Sequence, residues 1–332
     1  MRRLITGIVF LAAFSAAAYA ETLPRLILPL DCTIGESCFL QKYVDHRRGK
    51  GYQDYHCGFL SDDGHSGTDF RLPDHAALAR GVSVVAAADG IVRNLRDGMP
   101  DVDVRLVSKD AVTDRGLGNV VIIDHGGGWR TIYGHMRRNS VAVTKGQRVT
   151  AGQKLGQIGL SGLTEYPHVH FEVRFGKRII DPFVGLQTHT GCSAGSGALW
   201  TPATLEQLAY KPTFLIAAGF SDRRISKPAL QYGLYERTTL RRKLGSLYFG
   251  VFLSGLHKGD RYTLQLTDVN GKALKTVNGT LDKPAAVQFR SIGLKRNGPL
   301  SAGPYHARYA LFGTRNGKPG PVLEVKRTVT LK

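Results

Sequence analysis

Acidic side chains are scarce in this chain: 26 Asp and Glu stand against 45 Lys and Arg, a formal charge of +19. A surplus of that size favours polyanionic partners. Aromatic residues interleaved with basic ones, as base-reading surfaces carry them, are missing, so no specific nucleic-acid partner is expected. Long apolar runs are also missing after the first residues, which excludes a transmembrane segment in a mature chain. Cysteine is limited to Cys32, Cys38, Cys57 and Cys192, with no Cys-x-x-Cys pair. That argues against a thiolate metal site and for two disulfides formed outside the cytosol, with three connectivities open. No repeat recurs at a fixed spacing.

What is present begins at the N-terminus. Arg2 and Arg3 precede an apolar run from Leu4 to Phe14, and Ala18-Tyr19-Ala20 follows. A positive start, a short apolar stretch and a small-x-small end make a signal peptide over 1–20. The run is short for a membrane anchor, so the product is expected to be exported, periplasmic or secreted. Its loss removes Arg2 and Arg3 and leaves +17. An exported protein of that charge would meet an acidic cell-wall polymer through its positive surface. No lipobox-like cysteine is present, so no lipid anchor is expected.

Residues 21–60 read as an irregular, disulfide-pinned extension with one short strand near Phe39 to Val44. From 61 to about 200, short β-branched runs alternate with glycine-rich turns, the pattern of a mainly β domain. Val82 to Ala88 and Ile91-Val92 read as a tight hairpin across Asp89-Gly90. Val120 to Ile123 and Trp129 to Tyr133 read as another across Gly126-Gly127-Gly128. A third hairpin is expected around Val149. Residues 98–118 are a polar insertion. A short helix over Ala203 to Ala209 separates this region from 213–332, where strands near Leu247, Tyr262, Leu274, Val287, Ala307 and Val322 suggest a C-terminal β-sandwich.

The chemistry concentrates in His65-Ser66-Gly67-Thr68-Asp69-Phe70, Tyr133-Gly134-His135-Met136 and His168-Val169-His170-Phe171-Glu172-Val173. On a strand, a period of two puts His168 and His170 on one face and Val169, Phe171 and Val173 on the other. Gly67 would relax the backbone so that His65 and Asp69 turn to one point. His65, Asp69 and one histidine of the 168/170 pair make a zinc site with room for water. Spacing alone does not say which of that pair binds. His135 and the other histidine would hold the water and steady a developing oxyanion. His46, His56, His75, His125, His189, His257 and His306 lack such company.

These three motifs in this order, with Pro167 before His168 and glycines from Gly146 to Gly159, resemble the lysostaphin-type zinc endopeptidases of the M23 peptidase family. The likeness covers about residues 60–185. It implies an antiparallel β-groove metallopeptidase with one zinc ion held by His65, Asp69 and His170. His135 and His168 would be catalytic, and peptidoglycan cross-links or stem peptides the substrate. A protease acting on proteins and a non-enzymatic, wall-associated activator of another hydrolase are the alternatives. All five site positions are filled, which disfavours the activator. Two departures from the family pattern, the 98–118 insertion and Glu165-Tyr166 before the proline, are expected to reshape the groove.

Overall fold

The computed structural model describes residues 24–332 apart from 109, 111, 188–190, 243–244 and 316. The expected signal segment and His189 therefore lie outside the described residues. Among the described residues, no helix is long and apolar enough to cross a membrane.

Ten strands build the first region: β1 (Phe39–Lys42), β2 (Thr68–Arg71), β3 (Ser83–Val85), β4 (Gly90–Arg96), β5 (Asn119–Gly126), β6 (Trp129–Met136), β7 (Arg148–Val149), β8 (Lys154–Gln157), β9 (His168–Phe175) and β10 (Arg178–Ile180). Eight of them form one antiparallel sheet in the order β1-β2-β9-β6-β5-β4-β7, with β10 beside β9. β3 and β8 pair separately. The sheet is asymmetric by design of its sequence. Phe70, Val169, Phe171 and Tyr133 are buried in the core, where Phe171 and Phe183 pack against Trp200 at 5.5 and 5.7 Å. The opposite face carries the polar residues of the motifs.

Two expected hairpins differ. β3 and β4 are consecutive but do not pair: β3 pairs with β8, and β4 with β5 and β7. The link between them is claimed by distant groups, since the Ala87 amide donates to the Tyr133 hydroxyl (2.8 Å) and its carbonyl accepts from Ile27 (2.9 Å). β7 pairs with Gly90 and Ile91 of β4 rather than folding back on itself. A short helix, α1 (His75–Arg80), is capped by Asp74 and carries no sequence signal beyond that cap.

Cys32 bonds Cys38, and Cys57 bonds Cys192 across 135 residues. After α2 (Pro202–Gln207) come β11 (Phe214–Ser221), α3 (Lys227–Gln231), β12 (Thr239–Leu240), β13 (Ser246–Leu256), β14 (Arg261–Thr267), β15 (Ala273–Thr280), β16 (Ala285–Lys295), β17 (Gly303–Arg315) and β18 (Lys318–Leu331). They form two sheets, β11-β13-β16 and β12-β18-β17-β14-β15. Phe249, Val251 and Leu253 of one sheet share a core with Leu264, Tyr309 and Val325 of the other, a β-sandwich arrangement. Pro319-Gly320 lies inside β18, where, among the described residues, β17 alone is beside it at that end, so the missing amide proton breaks no second ladder.

Candidate metal centre

Register brings the motifs together. Asp69 on β2 is opposite His170 on β9, and His170 is opposite Gly134 on β6. Directly opposed residues share a face. Asp69, His170 and, two residues along β9, His168 therefore point the same way. His65 arrives from the turn before β2, its amide bonded to the Asp62 carbonyl (3.0 Å). His135 ends β6 with φ at 57°, a conformation costly for a residue with a side chain. Its amide donates to the Leu117 carbonyl (2.7 Å), which holds it in that conformation.

Gly67 serves a different purpose from the one expected. It is not among the glycines with positive φ. A Cβ there would lie 2.6 Å from His170 Nε2 and 2.7 Å from the Phe171 carbonyl. The glycine makes room for the imidazole rather than for an unusual backbone.

Three donor atoms converge: one each from His65, Asp69 and His170, all within 4.8 Å of one another. His65 Nδ1 donates to the Tyr43 carbonyl (2.7 Å), which turns its bare Nε2 to Asp69 Oδ1 at 3.2 Å. His170 Nδ1 lies 2.9 Å from the same Oδ1, while its Nε2 faces Ser66 Oγ (3.4 Å) and Glu172 Oε2 (3.7 Å). Imidazoles whose far nitrogen is held by an oxygen acceptor are oriented as metal ligands. Two imidazoles and a carboxylate, all largely buried, suit zinc by the chemistry of the set.

Two more imidazoles share the groove. His135 Nδ1 donates to the Ser161 carbonyl (2.7 Å) and His168 Nδ1 to the Tyr166 carbonyl (2.9 Å). His168 Nε2 is 3.5 Å from Asp69 Oδ1. Burial, more than any neighbour, pushes His168 down to about 4, against the pull of Asp69. Burial and then the nearby His168 and His170 hold His135 well below its ordinary value. Both are neutral near pH 7, and each keeps a bare Nε2 that accepts protons. Burial would raise the Asp69 carboxyl, but His65, His168 and His170 outweigh it and hold it well below the carboxylate range. Burial also opposes charge on His170, yet hydrogen bonds to Asp69 and Glu172 raise it to about 9.

The groove, about 570 Å³, is walled partly by the 98–118 insertion through Val104, Gly116 and Leu117. Asp101, one of the aspartates that make the insertion read as a polar loop, is an anchor that accepts from the Arg138 and Leu160 amides, and Asp97, just before the insertion, accepts from the Asn139 and Val141 amides. Tyr166, one of the departures, also enters the site. Its hydroxyl donates to Asp69 Oδ2 (3.2 Å), its ring stacks on His168 at 4.6 Å, and the buried Arg71 lies over it. Sequence reasoning missed Ser66, Glu172, the contact made by Tyr166, and Thr164, whose Oγ1 lies 3.1 Å from His168 Nδ1. Glu172 had a signal, since period two places it on the face of His170. His125, by contrast, is spent on the Asp89 carbonyl and Thr131 Oγ1.

Comparison with known proteins matches the stretch that carries these residues. The family model Peptidase family M23 matches residues 63–182. Peptidoglycan DD-endopeptidase ShyA of Vibrio cholerae is 32% identical over 33% of this chain and 20% of its own length. Murein hydrolase activator NlpD of Escherichia coli is 29% identical over 37% of this chain and 26% of its own. The catalytic domain of the prophage-encoded M23 protein EnpA from Enterococcus faecalis, solved as a point mutant, aligns with 45% of this chain and 91% of its own at 25% identity and a TM-score of 0.31. The chain spans about a fifth of the length of the curated relatives it matches first.

Proposed function

With residues 63–182 placed in peptidase family M23, we propose that this chain is a zinc-dependent endopeptidase acting on the peptide cross-links or stem peptides of peptidoglycan. The observation that carries the reading is the convergence of His65, Asp69 and His170 donors beside two buried histidines whose Nδ1 atoms are committed to backbone carbonyls. His65 Nε2, Asp69 Oδ1 and His170 Nδ1 would hold one zinc ion. Bound there, zinc would supply a Lewis acid and lower the pKa of water.

The chain's own residues do the rest. Glu172 and Ser66 keep Nδ1 of His170 aimed inward. Tyr166 engages Asp69 Oδ2 and leaves Oδ1 for binding. His168 and His135 have their Nδ1 protons committed to carbonyls, so each begins as a base at Nε2. Either takes a proton from the attacking water. Only after that does it carry the N–H needed to steady the tetrahedral oxygen or to protonate the leaving amine. This order refines the expectation of a standing oxyanion donor.

We assign residues 21–60 to an extension, 61–200 to the peptidase domain and 213–332 to an accessory sandwich. Export follows from the signal-like first 20 residues, and the +17 charge left after their removal supports adhesion to an acidic wall polymer. A protein-directed protease and an activator without catalysis remain the rival readings. The complete set at 65, 69, 135, 168 and 170 favours the enzyme over the activator. Purified sacculi digested with zinc-loaded protein should release soluble muropeptides, and a chelator should stop that release. Intact sacculi after prolonged digestion would overturn the reading.

A further inference from the structure

Strand β1 lies outside the segment that matches the family model, yet it enters the groove. Phe39 is opposite Arg71 and Leu40 opposite Phe70, so strict alternation would send Lys42 to the core side. The register instead slips by one between Leu40 and Lys42, leaving Gln41 and Lys42 both facing Asp69. Such a bulge re-aims a side chain. Gln41 uses its position to hold the buried Arg71 guanidinium, the one that lies over Tyr166. Lys42 is delivered to the wall of the groove that holds His65, Asp69 and His170.

The side chain of Lys42 is 18% exposed, a low value for lysine, and its described partner is Asp62, whose side chain is 59% exposed. An ion pair with one partner this open to water contributes little. The ammonium is thus fixed in place by the strand but weakly neutralised. Other acids near the groove have partners of their own: Asp69 the histidines, Glu172 His170 and Arg174, Asp103 Arg105, and the exposed Glu165 also Arg105 at 3.6 Å. An ammonium whose described partner is an exposed carboxylate can trade it for an anion brought into the groove, and on the hydrolase reading the ligand that enters is a peptide.

We propose that Lys42 is a specificity-determining residue that binds a free carboxylate flanking the scissile amide, as found where a cross-link is made to an amino acid that keeps its own carboxyl group. The inference rests on the hydrolase reading above. It gives the N-terminal segment a part in substrate choice, through the Gln41 bulge.

The test uses the full zinc-loaded protein and two synthetic cross-linked peptides. They are identical except that one carries a carboxylate and the other a carboxamide beside the scissile bond. Wild type should prefer the carboxylate peptide by about tenfold in kcat/KM, mostly through KM. Lys42→Met keeps the aliphatic stem and should bring the ratio close to one, while Lys42→Arg should preserve it. Asp62→Asn, which frees the ammonium, should widen it. Zinc content at the wild-type level in each variant excludes misfolding as the cause. Absence of preference in wild type, or an equal ratio in Lys42→Met, would overturn the proposal. Cleavage of neither peptide by wild type would instead sink the hydrolase reading itself.

Discussion

The groove face of β2, β9 and β6 and the interior of the C-terminal sandwich are both sheet surfaces shielded from water, yet they are filled in opposite ways. The sandwich encloses Phe249, Val251, Leu264, Tyr309 and Val325. The groove face encloses Asp69, His135, His168, His170 and Glu172. Burying apolar groups stabilises a fold, at about 25 cal/mol per Å². Burying ionisable groups costs stability unless each is paired. In the groove His65, His135 and His168 each commit Nδ1 to a backbone carbonyl, and nitrogens of His65, His168 and His170 gather around the single carboxylate oxygen Asp69 Oδ1. One carboxylate cannot satisfy them all. The groove face is therefore organised for something that enters it, and the sandwich interior for itself.

Removing a donor from the groove should produce the largest effect. His170→Ala should bring zinc content, read by elemental analysis, close to zero and abolish turnover. His168→Ala should retain zinc and lower kcat by about 10²- to 10⁴-fold, the usual range for a lost acid–base group. Wild-type zinc content in His170→Ala would break the ligand assignment. Loss of zinc from His168→Ala would merge two roles held apart above.

Truncation in the sandwich should act on stability alone. Phe249 is fully buried, and Phe249→Ala should destabilise that part by about 3–5 kcal/mol in denaturant unfolding. Zinc content of the folded protein should stay unchanged. Loss of zinc in parallel would mean that the two surfaces are coupled.

A smaller effect is expected from protons. His170 is raised to about 9 without metal, so at neutral pH it is protonated and zinc must displace that proton. Affinity should therefore weaken as pH falls, by about tenfold per unit for one proton released. Titration calorimetry in buffers of different ionisation enthalpy reads that number directly. Affinity independent of pH between 6 and 8 would show that His170 is already neutral. Smallest of all, Glu324→Gln on the exposed sandwich face, beside Arg308 and Lys326, should leave the melting temperature unchanged.

Much of the groove was legible in the sequence because its residues sit on strands. Alternation along 168–173 puts both histidines on one face, and the same logic would have added Glu172. The strands around Gly126 to Gly128 were equally readable, since a local turn sets their register. The strands near 82–92 and Val149 were misread as hairpins because their partners lie far away in sequence. α1, α3 and β11 went unread, being short or without a strong period. Tyr166 was visible only as a departure. That its hydroxyl meets Asp69 depends on β9 lying beside β2.

The sequence by itself determined which residue types could build a hydrolytic metal centre, that His168 and His170 share a face, and that the chain is mainly β. Those are consequences of local periodicity and side-chain chemistry. Tertiary structure alone decided that Cys32 pairs with Cys38 and Cys57 with Cys192, that donor atoms of His65, Asp69 and His170 come within 4.8 Å of one another, and that a one-residue slip turns Lys42 into the groove. Each of those depends on which strand lies alongside which and in what register, a matter of packing between segments that no single stretch of sequence contains.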